Sequence, residues 1–307
     1  MYKLLLSLLI FPILALNAQP PLDKTLSFSE TFQDSTLRID YIFTGTHNSQ
    51  EISLDEIHIG NGWAGRRVNL QELPLAGNGQ IIMKDSESGN TIYKHSFSTL
   101  FQEWQTSEEA TKVRKSFENV FQLPLPRHNV DIQVILFDTY RKEIYRFEHH
   151  VNINDILIRP LTTLSSTSYK YVHQGGDPQR SIDVAIVAEG YTVNEQSLFF
   201  ADAQRAADEI LKYKPFSDHK NDFNFIAVAL PSAESGISIP HRHEWKQTAL
   251  SSHFDTFYSK RYLTTLKLKA LHNALAGLPY EHILILANTS NYGGGGIYNS
   301  YTLSAAH

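Results

Sequence analysis

The hydrophobic period of this chain changes once, near residue 180, and that change limits what it can fold into. Before it, apolar residues recur every second position. Leu37-Arg38-Ile39-Asp40-Tyr41-Ile42-Phe43 alternates at period 2, and residues 130–137 begin the same way and close on an apolar run. Turn signals such as Gly77-Asn78-Gly79 and Ser88-Gly89-Asn90 divide such segments, a pattern that predicts a β-sandwich over residues 24–151. One helix is predicted inside it, over 108–120, capped by Ser107 with Ala110, Val113, Phe117 and Val120 on one face and ended by Pro124 and Pro126. Residues 152–180 read as a linker, because 161–168 is rich in hydroxyls and Gly175-Gly176-Asp177-Pro178 is a strong turn signal.

After Arg180 the pattern becomes strand, helix, strand, loop, helix, strand. Residues 182–188 form an apolar run, and Thr192 with Glu195 three positions on makes a capping box. The helix it opens carries Phe199, Ala203, Ala206, Ala207, Ile210 and Leu211 on one face and stops at Pro215. A second strand spans 223–230 and a long loop runs from 231 to about 258. A helix over 262–276 follows, with Leu268, Leu271 and Leu275 in a stripe, Gly277 at its C′ position and Pro279 beyond, and then a strand from 282 to 287. This order points to an α/β layer with a mostly parallel sheet over 181–307, and to an α+β protein as a whole.

At the N-terminus, Lys3 precedes an apolar run from 4 to 16 broken only by Ser7 and Pro12, and Ala18 supplies a small residue for cleavage. The run is shorter than the roughly 20 apolar residues of a membrane span. Residues 1–18 therefore read as a cleaved signal peptide, which implies a secreted or periplasmic protein. No later segment is long and apolar enough to span a membrane. The chain has no cysteine, which excludes disulfides, thiol nucleophiles, a lipoprotein anchor and Cys-held zinc; any metal site must use His, Asp and Glu. A net charge of -5 gives no basic surface for nucleic acid. Oligomeric state is not legible.

Four consecutive glycines, Gly293 to Gly296, follow the last strand. They read as a plain turn, or as backbone that must approach a ligand closely. A phosphate cradle lacks its lysine and hydroxyl, since Ile297 and Tyr298 come next. A peptide-binding edge strand beginning near Ile297 is the other option. His241-Arg242-His243, and His253 with Asp255, have two-residue spacings, but His243-Glu244 fails as a zinc helix because position 247 is Gln247. These read as loop polar residues. Glu234-Ser235-Gly236 lacks a nucleophile elbow. Glu189 sits where α/β ligands often bind, yet a lone carboxylate there is more often an acceptor that orders a loop.

Long strings in the second half resemble the catalytic domain of the IgA-peptidase family of zinc metallopeptidases. They are residues 183–192 (DVAIVAEGYT), 231–240 (PSAESGISIP), 252–258 (SHFDTFY), 262–265 (YLTT) and 278–300. Residues 63–67 (WAGRR), 96–104 (SFSTLFQEW) and 115–121 (KSFENVF) are similar to the β domain that precedes it. The resemblance implies a metzincin-like catalytic domain, zinc held by a His-Glu-x-x-His helix, and a protein or peptide substrate. No His-Glu-x-x-His occurs in the 307 residues, so catalytic and metal-ligating residues are expected to be none here. The catalytic domain is expected to be incomplete and inactive as given, with apolar side chains of its sheet left exposed. By position, Gly294, Gly295, Gly296, Ile297 and Tyr298 resemble the edge strand that aligns substrate backbone. Two other functions stay open: a non-enzymatic adhesion protein acting through the sandwich, and an esterase or phosphatase, which the missing motifs disfavour.

Overall fold

A computed structural model describes residues 26–73, 76–163 and 167–307. The segment read as a signal peptide, 1–18, lies outside them. A short helix α1 (Phe28–Thr31) leads into β1 (Phe32–Thr46) and β2 (Ser49–Asn61), and β3 (Gly79–Asp85) and β4 (Thr91–Phe97) follow. After α2 (Leu100–Trp104) come β5 (Lys115–Pro126), β6 (Val130–Phe137), β7 (Glu143–Val151) and β8 (Arg159–Pro160). They form two four-stranded sheets, β5-β1-β2-β8 and β4-β3-β6-β7. Leu37, Ile39, Tyr41 and Phe43 of β1 point into the space between the sheets and are fully buried.

The helix predicted over 108–120 is absent. Residues Glu109–Thr111 make a single 3-10 turn, and β5 begins at Lys115. Phe117, Phe121 and Leu123 satisfy a period of two, while Phe117 also fits the helical spacing of Ala110, Val113 and Val120. Antiparallel pairing with Phe43, Ile39 and Leu37 of β1 decides for the strand, because aromatic and branched side chains pack well on a pleated surface. The helix that does form, α2, starts where Thr99 Oγ1 accepts from Gln102 N at 3.1 Å, and it buries Trp104.

The second half is a six-stranded sheet in the order β13-β14-β12-β10-β11-β9. Its strands are β9 (Ser168–Gln174), β10 (Ile182–Glu189), β11 (Phe223–Ala229), β12 (His282–Ala287), β13 (Gly294–Ile297) and β14 (Tyr301–Ala305). The inner ladders are parallel, as read from the sequence; β9 and β13 at the edges run antiparallel. β9 lies inside the segment read as a linker, so part of that segment belongs to the sheet. Helix α3 (Gln196–Ile210) follows the Thr192–Glu195 capping box. It covers Ile186, Ala188, Phe225 and Ala227.

Helix α4 (Leu268–Ala274) is shorter than the predicted 262–276. Residues 262–264 are extended instead, because Leu263 N donates to Gly294 O and Thr264 exchanges backbone bonds with His253. The expected exposure of apolar sheet residues is not found. On the α3 face β14 presents Thr302 and Ser304, and among the described strands of this sheet only Tyr169 and Ile182 are large exposed hydrophobics.

The two halves share one continuous apolar cluster, from Phe43 in the sandwich to Ile285 in the second sheet. The outer face of β1 is not solvated. Arg38 and Asp40 lie there fully buried, and the guanidinium holds both carboxylate oxygens at 2.7 Å. Its remaining arm donates to Asn273 Oδ1 of α4 at 2.7 Å. Nearby, Tyr280 OH bonds both Gln122 and His272.

This seam borders an open cleft of ≈ 190 Å³ lined in part by His95, His272, His282 and Glu281. Burial pushes His95 down to about 4, and holds His272 and His282 below their ordinary range. Burial raises Glu281 to about 7. The unfolded chain binds protons to the histidines near pH 6.5 and the folded chain does not, so acidification from there favours unfolding. Glu281 acts the other way: its contribution is present below its unfolded pKa and is lost as pH rises through about 7. Elsewhere burial also holds His58 and His149 low and raises Asp183 to about 6, so five histidines oppose two carboxyls. Urea unfolding should therefore show lower stability at pH 5 than at pH 7. His95→Gln should lose less over the same range, by about 1–2 kcal/mol. An equal pH slope in wild type and variant would contradict this account.

Candidate functional site

In an open α/β sheet, the loops beyond the carboxyl ends of the parallel strands are where ligands bind. Here the end of β10 is Glu189, fully buried. Its Oε1 accepts from Thr248 Oγ1 at 2.6 Å and Ser252 N at 2.9 Å, and its Oε2 from Leu250 N at 2.9 Å. All its described side-chain bonds lead to loop residues 248–252, so the Glu189 carboxylate anchors the long loop and does not face a substrate space. Gly190 follows with φ +76, and a Cβ on it would stand 2.5 Å from Gly236 O. The bland reading of Glu189 is the one the geometry supports.

The anchored loop returns across the sheet edge and clamps β13. Gly294 N donates to Arg261 O at 3.0 Å, and Leu263 N donates to Gly294 O at 3.3 Å. A Cβ at Gly293 would lie 2.5 Å from the Phe254 ring and 2.6 Å from Arg261 O; at Gly295 it would lie 2.7 Å from both Leu263 O and the Tyr262 ring. These glycines are therefore required by close packing of the loop against the strand, a reason that neither the turn reading nor the ligand reading supplied. Gly296 differs, since its Cβ would meet only Thr302 Oγ1, at an ordinary 3.6 Å.

Alternation along an antiparallel strand turns the N–H and C=O of Gly296 to the same side as those of Gly294, away from β14. Gly296 is exposed, and no backbone bond from the described residues occupies that side of it. Ile297 is buried, and Tyr298 is half-exposed with its carbonyl accepting from Ser98 N of the sandwich half at 3.0 Å. Asn299 Nδ2 donates to Ser96 O at 2.8 Å. The candidate strand is thus held at both ends, by the loop at Gly294 and by the sandwich at Tyr298, with one open backbone position between. Gly295→Ala should cost about 1–3 kcal/mol of stability through overpacking, and Gly296→Ala less than about 0.5 kcal/mol. Thermal melts of the two variants compare these directly; equal losses would remove the packing argument.

The histidines singled out by spacing do not converge. His241 Nδ1 bonds Asp255 at 2.8 Å. Partial burial raises the Asp255 carboxyl, but the side-chain and backbone donors of His241 outweigh it and hold the group below its ordinary value. His253 Nδ1 donates to Phe254 O at 2.5 Å. His243 is exposed, His149 Nε2 meets Tyr41 OH, and His307 Nε2 lies 3.5 Å from Asp202.

Among the described residues, one group could hold a metal: Asp40, Glu56 and His58, on facing positions of β1 and β2. The sequence reading missed it. The two-residue spacing of Glu56 and His58 was the available signal, but only the strand register brings Asp40 opposite. Both nitrogens of buried His58 lack a hydrogen-bond partner, Nε2 lying 3.6 Å from Glu56, and this is the one feature that favours a ligand. The charges oppose it. Asp40 is neutralised by Arg38, and Glu56 is shared by Arg159 and Lys269, each at 2.9 Å. A dication would enter a balanced, buried site and add uncompensated charge. The group lies on the sandwich half, away from the loop and β13. It does not fit a catalytic metal.

Comparison with known families finds two matches. A family model described as Peptidase M64 N-terminus matches residues 27–148, and one described as IgA Peptidase M64 matches residues 171–307. No curated protein matches the chain.

Proposed function

The chain belongs to the IgA Peptidase M64 family, and on that premise we propose that it is part of a secreted zinc endopeptidase whose substrate lies along β13. Family membership makes it a metallopeptidase in class and its substrate a protein or peptide. The observation that carries the finer reading is the outward, unbonded backbone of Gly296 on a strand clamped at both ends. An extended peptide pairing there would gain backbone hydrogen bonds without ordering a loop first. Glycine at 296 keeps a side chain out of that approach, and the half-exposed Tyr298 offers a ring beside it.

Zinc is the metal that the family resemblance implies. Its ligands are expected in a His-Glu-x-x-His sequence, which residues 1–307 do not contain, and no step of hydrolysis is assigned to residues of this chain. Secretion rests on residues 1–18 alone; a mature product beginning at Gln19 is expected from N-terminal sequencing.

The test pairs the 307-residue polypeptide with a product of its full open reading frame. The 307-residue polypeptide should carry no stoichiometric zinc by elemental analysis and should give no chelator-sensitive cleavage of a casein substrate. A reading frame that supplies His-Glu-x-x-His should give both. Stoichiometric zinc on the 307 residues, or a complete frame without the motif, would sink the proposal.

A further inference from the structure

Beyond β13, the same loop builds a second feature with the sandwich half. A cleft of ≈ 500 Å³ opens between them, walled by Leu100 and Phe117 on one side and by Pro240, Phe257 and Leu266 on the other. This size is typical of small-molecule and side-chain pockets, which run from roughly 300 to 1,000 Å³. Trp245 and Tyr258 stand on its lining and are 66% and 82% exposed, although both are large rings.

The charged groups of the cleft are already balanced. Lys115 Nζ bonds Glu109 at 2.6 Å, and Asp255 is bonded by His241 with Lys260 beside it. An ionic ligand would find no uncompensated partner. The wall itself is strained, since Asp255, Phe257 and Tyr258 hold φ of 60, 51 and 64 without being glycine. Such backbone costs about 1–3 kcal/mol per residue and persists where the surroundings over-determine it, often at ligand clamps. The backbone that carries Phe257 and Tyr258 is thus held by its surroundings.

We propose that this cleft binds an uncharged aromatic side chain of a polypeptide, as an anchoring subsite outside β13. The role as a subsite rests on the peptidase reading given above; binding itself does not. Aromatic rings gain edge-to-face contacts with Phe117, Phe257 and Trp245 that an aliphatic chain lacks. Because residues 261–263 of the loop clamp Gly294 while residues 255–260 wall the cleft, a substrate anchored in the cleft touches the element that positions the candidate strand.

The chain has three tryptophans, and Trp63 and Trp104 are buried, so changes in solvent-exposed emission report Trp245. Titrating the 307-residue protein with N-acetyl-L-phenylalaninamide should give a saturable blue shift. N-acetyl-L-aspartate should bind at least about tenfold more weakly. Leu266→Glu, at a side chain 40% exposed, should weaken the phenylalanine derivative at least about tenfold. Tyr258→Ser is a second variant with the same expected direction. No saturable response, or unchanged affinity in both variants, would overturn the proposal. The titration needs neither metal nor cleavage. Saturable binding without hydrolysis by the full reading frame would leave the cleft standing and remove the peptidase reading; cleavage without any Trp245 response would do the reverse.

Discussion

Glu189→Ala is expected to destabilise the protein by about 3–5 kcal/mol. The carboxylate accepts from Thr248 Oγ1, Leu250 N and Ser252 N, and it is fully buried. Removing it leaves three donors without partners, at about 1–3 kcal/mol each before relaxation and water entry reduce the sum. The damage should be local first, because residues 248–252 are the point from which the long loop hangs. Limited proteolysis should cut the variant within 231–267 under conditions that leave the parent intact, and urea unfolding gives the energy. Glu189→Gln keeps one acceptor oxygen and turns an N–H₂ toward a donor, so it should fall between the two. A loss under about 1 kcal/mol for the alanine variant would show that the carboxylate is not what orders this loop.

Arg38→Met should cost a comparable amount, about 3–5 kcal/mol, because it strands Asp40 as an unpaired buried charge. The pair is fully buried between β1 and α4, with both carboxylate oxygens held. Replacing both members, Arg38→Met with Asp40→Leu, removes the stranded charge together with the cost of desolvating it, and should recover most of the loss. The double variant still lacks the bond to Asn273 Oδ1, so recovery is incomplete by about 1 kcal/mol. Chemical denaturation of the two singles and the double closes the cycle. A double variant no more stable than Arg38→Met would mean that the pair is not what makes the single change costly.

Legibility followed the range of the interactions involved. The capping box at Thr192 and Glu195 is local chemistry and was readable, as was the period of β10, β11 and β12. The segment around Phe117 was misread because its apolar spacing suits both periods, and the partner that decides between them, β1, lies about seventy residues away. For the glycine run, residue type signalled close approach. What approaches is the loop of this chain itself, at Phe254, Arg261, Tyr262 and Leu263.

Alone, the order of residues determined the alternation in β1, the α+β class, the parallel core of the second sheet and the family resemblance, since each depends on patterns or strings within a short window. Only the tertiary structure decided what those patterns face. Arg38 and Asp40 occupy the polar positions of an alternating strand and are sealed by α4, because a sheet face takes its environment from whatever packs on it. The same holds for Glu189, whose partners lie some sixty residues further along the chain. Burial, pairing and strain are properties of contacts between distant segments, and a single string of residues does not contain those distances.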